Sequence, residues 1–138
     1  MVRRLLIVFF TAFLLNFLWE NIHAVLYVQY QGGEITRLIL FRAALFDAAV
    51  ITLFAALLLV LPWPRARPWV MLALGVVFAV GLEWFALATG RWEYNTLMPL
   101  IPFLNVGLSP AIQLGVTGWG ALVFALIRTK SGASSRSL

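Results

Sequence analysis

Four runs of apolar sequence, each about 20 residues long, constrain this chain more than any motif does, because a helix of about 20 apolar residues crosses the hydrocarbon of a bilayer. They cover about 5–25, 38–61, 68–89 and 110–127. Of the 138 residues, 63% are hydrophobic and 11% are charged, which is outside the balance of a soluble domain. The expected fold class is therefore all-α: a polytopic membrane protein built as one four-helix transmembrane bundle over residues 1–128. The tail 129–138, "TKSGASSRSL", has no apolar periodicity and is expected to be disordered and cytoplasmic. No cysteine is present, so disulfides, thiolate metal sites and a cysteine nucleophile are excluded.

Punctuation between the runs supports the division. Arg3 and Arg4 precede the first run, as in a signal peptide, but the run continues through Trp19, Glu20 and Asn21, which favours a retained signal-anchor helix. The segment "VQYQGGEITR" supplies the next turn. "PWPRARP" ends the second run, and Pro68 fits the first turn of the third helix. Gly90 sits where a helix closes with a left-handed residue. Ser109 reads as an N-cap, with Pro110 at the first helical position. Between helices three and four, "RWEYNTLMPLIPFLNVGL" is apolar yet broken by Pro99 and Pro102, and reads as a lid on the bundle or an interfacial segment.

Basic residues set an orientation. Arg3, Arg4, Arg65, Arg67, Arg128, Lys130 and Arg136 fall on one side, against Arg37, Arg42 and Arg91 on the other, so both termini are expected in the cytoplasm and the chain in the inner (plasma) membrane as a multi-pass protein. The net charge of +5 is then an orientation signal with contact to anionic lipid, and nucleic acid is not an expected partner.

On that topology all five acidic residues lie in the outer half. Glu20 is near the outer end of helix one, Asp47 roughly 10 Å below the outer end of helix two at 1.5 Å per residue, and Glu83 several residues short of the outer end of helix three. Glu34 and Glu93 belong to outer loops. Ionisable groups within a membrane segment are costly unless they face the interior and find partners. Helical spacing lets them do so: Asn16, Glu20, His23 and Tyr27 form a stripe about 60° wide, and Ser109, Gln113 and Thr117 form a second. Small residues flank the acids, Ala43 and Ala44 beside Asp47 and Ala79, Ala86 and Gly90 beside Glu83, which lets helices approach closely.

Two readings of these groups stand side by side. Asn16, Gln113 and Thr117 suit interhelical hydrogen bonding, and the acids suit either ion pairs with Arg42 or Arg91 or a functional pocket. Trp63 and Trp92 read as interfacial belt residues, whereas Trp19 and Trp84, each adjacent to an acid, read as pocket lining. Glu20 and His23 have the Glu-x-x-His spacing of carboxylate-bridged metal bundles, but those sites use two such motifs and this chain has one histidine, so no metal is expected. A histidine bonded to Glu20 or to a loop carbonyl is the alternative.

The run "EWFALATGRWEYNTLMPLIPFLNVGLSP" resembles, over Glu83 to about Pro110, the carotenoid hydratase group and the related lycopene cyclase domain of membrane-embedded isoprenoid enzymes. The likeness rests on Glu83 with Thr89 and Gly90 six and seven positions on, an aromatic residue and the tyrosine Tyr94 after it, and spaced prolines. The whole chain, with "NFLWE", "FDAAVIT" and "GLSPAIQL", is similar to small bacterial four-helix integral membrane proteins, which implies an architecture and no activity. The isoprenoid resemblance implies acid–base chemistry on an apolar lipid: hydration, cyclisation or isomerisation. Such chemistry needs a protonated carboxylic acid, a second carboxylate to receive or steady charge, and aromatic walls facing a cation. Glu83 is then the expected acid with Glu20 or Asp47 as partner, and Asn16, Trp19, His23, Tyr27, Trp84, Tyr94 and Gln113 the expected substrate-binding set. No cofactor is expected, and no nucleotide, serine-triad or phosphate-loop motif is present to favour other enzyme classes. The same residues suit a proton-coupled transporter or an assembly subunit pairing with another membrane protein or a second copy.

Overall fold

The computed structural model describes residues 1–64 and 66–134. Its helices are α1 (Val2–His23), α2 (Arg37–Leu59), α3 (Arg67–Ala88) and α4 (Leu108–Ser134). All four contain a span long and apolar enough to cross a membrane. Arg4 Nε donates to Thr129 Oγ1 at 3.1 Å, which joins the start of α1 to the last turns of α4. Side chains such as Phe10, Leu14, Leu53 and Val77 project outward, so the bundle is apolar outside as well as inside.

Local chemistry marks the start of α2 and both ends of α3. Thr36 caps α2, its side chain accepting from Ile39 N. Pro68 sits in the first turn of α3, where its missing N–H is not needed. At the other end of α3, Gly90 N–H reaches Leu87 O at 3.2 Å and Arg91 N–H reaches Ala86 O at 2.8 Å, with Gly90 at φ +63°. That paired closure needs the left-handed glycine.

Three features differ from the sequence expectation. α1 stops at His23 and a 3₁₀ turn, Ala24–Leu26, redirects the chain, so Tyr27 is not on the helical stripe. It belongs to β1 (Tyr27–Tyr30), which pairs antiparallel with β2 (Trp92–Tyr94), with Tyr27 opposite Tyr94 and Tyr30 opposite Trp92. The all-α bundle thus carries one small sheet, and because its strands follow α1 and α3, those helices end at the same face. α4 begins at Leu108, before Pro110, and runs to Ser134; the segment expected to be disordered from 129 is helical that far, its first residue tied to Arg4, and residues 135–138 lie outside the described ones.

Three seams hold the bundle: α1 against α2, α1 against α4, and α3 against α4. The last is the closest, because a Cβ on Gly75 would lie 2.5 Å from the Gly115 backbone, and one on Gly115 would lie 2.6 Å from Leu72 O. Only glycine permits that approach. α2 and α3 meet along a shorter stretch, where the rings of Phe54 and Phe78 touch edge to face at 5.7 Å, on the side of Asp47 and Glu83 away from the small sheet. Below the acids the core is apolar, with Val8, Ile51, Ala55, Leu58, Met71, Leu122 and Ala125 fully or almost fully buried.

Gly115→Ala should therefore force α3 and α4 apart and cost about 1–3 kcal/mol, the range for overpacking a filled core. Gly81→Ala, which meets nothing within 4 Å, should be neutral or slightly stabilising. Thermal unfolding of both variants in detergent checks the contrast; equal midpoints would remove the close α3–α4 seam.

Candidate functional site

A cavity of about 340 Å³ lies between the helix ends and the small sheet, and Glu20, Asp47 and Glu83 all line it. Each acid comes from a different helix. Asp47 and Glu83 are buried, and the Glu20 side chain is 14% exposed. Small neighbours make room: Ala44, Ala48, Ala79 and Ala86 are buried beside them.

The amide of Gln113 joins three helices at the floor. Its Nε2 donates toward Glu20 Oε1 at 2.7 Å, Asp47 Oδ2 at 3.0 Å and Asn16 Oδ1 at 3.1 Å. Two protons face three oxygens, so one acceptor must be supplied otherwise. Thr117 Oγ1 lies 3.2 Å from Asn16 Oδ1 and 2.8 Å from Gln113 O, so its one proton serves one of the two, and Asn16 Nδ2 donates to Ala12 O at 2.8 Å. The reverse amide orientation would set an oxygen against these acceptors, which assigns Nε2 to them.

A second chain of bonds runs along one wall. Trp19 Nε1 donates to Ser109 Oγ at 3.2 Å, Ser109 Oγ lies 3.0 Å from His23 Nδ1, and His23 Nε2 lies 3.4 Å from Glu20 Oε2. Indole N–H is a donor only, so the assignment that uses every proton has the Ser109 hydroxyl donating to Nδ1 and Nε2–H donating to Glu20. Ser109 is therefore not an N-cap. Its hydroxyl is spent on His23, and His23 bonds Glu20, the alternative to metal ligation. Among the described residues no three histidine or acidic side chains form a metal-holding group.

Glu83 is held from the sheet. Its Oε2 accepts from Trp92 Nε1 at 3.2 Å and from the Tyr94 hydroxyl, which in turn accepts from Gly107 N–H at 3.0 Å. Tyr30 stacks on Trp92 with centroids 6.3 Å apart, and Tyr27 lies 5.5 Å from Tyr94 and 5.4 Å from His23. Aromatic faces thus roof the acids. Burial, then the nearby Glu83, pushes the Tyr27 phenol well above its ordinary range; burial and the bond to Glu83 push Tyr94 up.

The cavity brings together Glu20, His23, Tyr27, Asp47, Glu83 and Gln113 of the expected residues. Asn16 lies beneath its floor, fully buried, and Tyr94 stands behind Glu83. The tryptophans exchange roles. Trp84 is 50% exposed and donates to Leu104 O at 2.9 Å outside the bundle, and Trp19 faces an outer groove between α1 and α4. Trp92, expected in the interfacial belt, lines the cavity instead. Only the strand at the start of the expected lid acts as a roof. No residue of 95–108 lines the cavity, and Leu97, Leu100 and Phe103 point outward. The ion pairs considered for Arg42 and Arg91 do not form: among the described residues neither lies within ion-pair distance of a carboxylate, although both line the cavity. Tyr30, Trp92 and the two arginines were missed as lining residues. The alternation Trp92–Glu93–Tyr94 is a period-two strand signal that marks Trp92 and Tyr94 as sharing a face.

No protein-family model, curated protein or solved structure matches the chain. Its functional reading rests on the site itself.

Because both phenols sit above their ordinary value of 10.0, the folded protein keeps Tyr27 and Tyr94 protonated where the unfolded chain releases their protons. The stability they contribute is present below pH 10 and falls as pH rises beyond it. Tyr27→Phe and Tyr94→Phe should leave the change in absorbance at 295 nm between pH 9 and pH 11, as rough bounds, equal to that of the parent while both stay folded. A loss of one tyrosine's worth of signal in either variant would place that phenol in contact with water.

Proposed function

We propose that the chain is a multi-pass protein of the inner (plasma) membrane, termini cytoplasmic, that performs acid–base chemistry on an isoprenoid or similarly apolar lipid. Its orientation follows from the basic residues: Arg3, Arg4 and Arg128 belong to the end where α1 starts and α4 finishes. The observation that carries the activity is the single cavity in which three carboxyls from three helices have unequal hydrogen-bond partners.

Those partners divide the labour. Glu83 accepts from Tyr94 and Trp92, and Glu20 from Gln113 and His23, so each has two donors to steady an anion. Asp47 has one shared amide donor, from the Gln113 nitrogen that also serves Glu20. A buried charge with so little compensation is costly, and a proton on Asp47 removes that cost. Asp47 is accordingly the acid and Glu83 the base, the reverse of the role expected for Glu83. Proton transfer from Asp47 to an alkene carbon makes a bond to that carbon and leaves a cation at its neighbour. The faces of Tyr27, Tyr30 and Trp92 attract that cation, and Glu83 takes a proton from it or from the water that adds to it. The loose α2–α3 seam, with Ile39, Ala43, Phe46 and Leu82 along the cavity, gives the substrate a sideways route from hydrocarbon.

Transport through the bundle fits less well, since the core below the acids is apolar and close-packed. A non-catalytic assembly role has one feature in its favour, the outer groove of α1 and α4 lined by Leu15, Leu18, Trp19, Ile22 and Trp119.

Mass spectrometry of lipids from cells with and without the gene tests the proposal. A precursor lipid should accumulate on deletion and stay high with Asp47→Asn or Glu83→Gln variants that still insert, each losing on the order of 10²-fold or more in turnover, as removal of a general acid or base does. Full rescue by both variants, or an unchanged lipidome, would leave the carboxyls as structural contacts.

A further inference from the structure

Three arginines, Arg37, Arg42 and Arg91, belong to the end of the bundle that carries the small sheet, and two of them, Arg42 and Arg91, line the cavity with the acids. Neither pairs with an acid. Among the described residues the Arg42 side chain has no hydrogen bond or ion pair, and the Arg91 guanidinium has only the face of Phe85 at 5.3 Å. Both are exposed, whereas Asp47 and Glu83 are buried. The cavity is therefore polarised, with cations at its rim and acids at its floor.

That arrangement is unexpected if the arginines were there to neutralise acids. Arg42 lies in the second turn of α2, within an apolar span, where a guanidinium is costly unless it meets an anion or water. Exposed guanidinium forks bind phosphate oxygens two at a time. Between rim and floor the lining is apolar, from Ile39, Ala43, Phe46, Leu82 and Leu114. The volume, 340 Å³, holds about ten water-sized groups at roughly 30 Å³ each, so one end of a lipid fits and the rest of a long chain must leave by the α2–α3 seam.

We infer that Arg42 and Arg91 form a head-group clamp, and that the ligand of this cavity is a lipid bearing a phosphate ester whose first carbons lie along Ile39, Ala43 and Leu82 on the way to the acids. The inference rests on the reading of the cavity as a lipid site and adds the charge of the head.

The full chain in a neutral detergent, titrated with dodecyl phosphate and with dodecanol and read by native mass spectrometry, tests the clamp. Dodecyl phosphate should bind about tenfold tighter or better. Arg42→Gln and Arg91→Gln should each remove most of that advantage while leaving dodecanol unchanged, and Arg42→Lys, which keeps the charge, should retain part of it. Since both side chains are exposed and without polar partners, folding is not at stake in these variants. Equal binding of the two probes, both lost in an Ala43→Phe variant that fills the cavity, would overturn the clamp and leave the lipid cavity standing. Binding of neither probe would overturn both. Displacement of dodecyl phosphate by millimolar inorganic phosphate would overturn the lipid assignment in favour of a free anion.

Discussion

The side-chain amide of Gln113 is the tie on which the polar half of this bundle depends. Hydrocarbon offers no partners to a buried carboxyl or amide, so every polar group placed there must be satisfied by another helix. One nitrogen on α4 meets Asn16 and Glu20 on α1 and Asp47 on α2, and so fixes the rotation of three helices about their axes. Van der Waals packing does the complementary work below. Gly75 against Gly115 brings α3 to α4, and the same approach sets the depth at which Glu83 stands opposite the amide's cluster.

Glu83 has no bond to that cluster, and its partners come from the loops. β1 and β2 follow α1 and α3, and their pairing places Trp92 and Tyr94 over the carboxyl. A two-stranded ribbon is marginal on its own. Here two bonds lengthen its ladder, Gln31 N–H to Arg91 O at 2.6 Å and Asn95 N–H to Leu26 O at 2.9 Å, and the Tyr94 hydroxyl anchors it by joining Glu83 to Gly107. Roof and acid thus stabilise each other, and the ribbon closes the cavity from above while α2 and α3 leave its side loosely sealed.

The resulting charge pattern has a direction. Apolar packing fills the end of the bundle near the chain termini, acids occupy the middle distance, and arginines stand at the rim beside aromatic rings. Partners from different elements give carboxyls that are chemically alike unequal surroundings: Glu83 meets two donors from the ribbon, whereas Asp47 meets the Gln113 amide.

Much of this was legible in the residue order. Runs of about 20 apolar residues dictate helices of membrane-crossing length, and the three- and four-residue steps of Asn16, Glu20 and His23 place them on one face whatever that face meets. Gly90 closes α3 in the left-handed conformation because local backbone geometry, not a neighbour, decides a helix end. Residue order is silent about which faces meet. Trp84 adjoins Glu83 in the chain, yet successive helical residues lie about 100° apart, so it points outside while Trp92, nine positions on, bonds the acid. The pairing of β1 with β2, separated by two helices, and the approach of Gly75 to Gly115 are likewise long-range choices. The sequence by itself determined four apolar helices and the residues able to carry charge among them; only the tertiary structure decided which donors each acid received, because that depends on rotations and depths that helices acquire from one another.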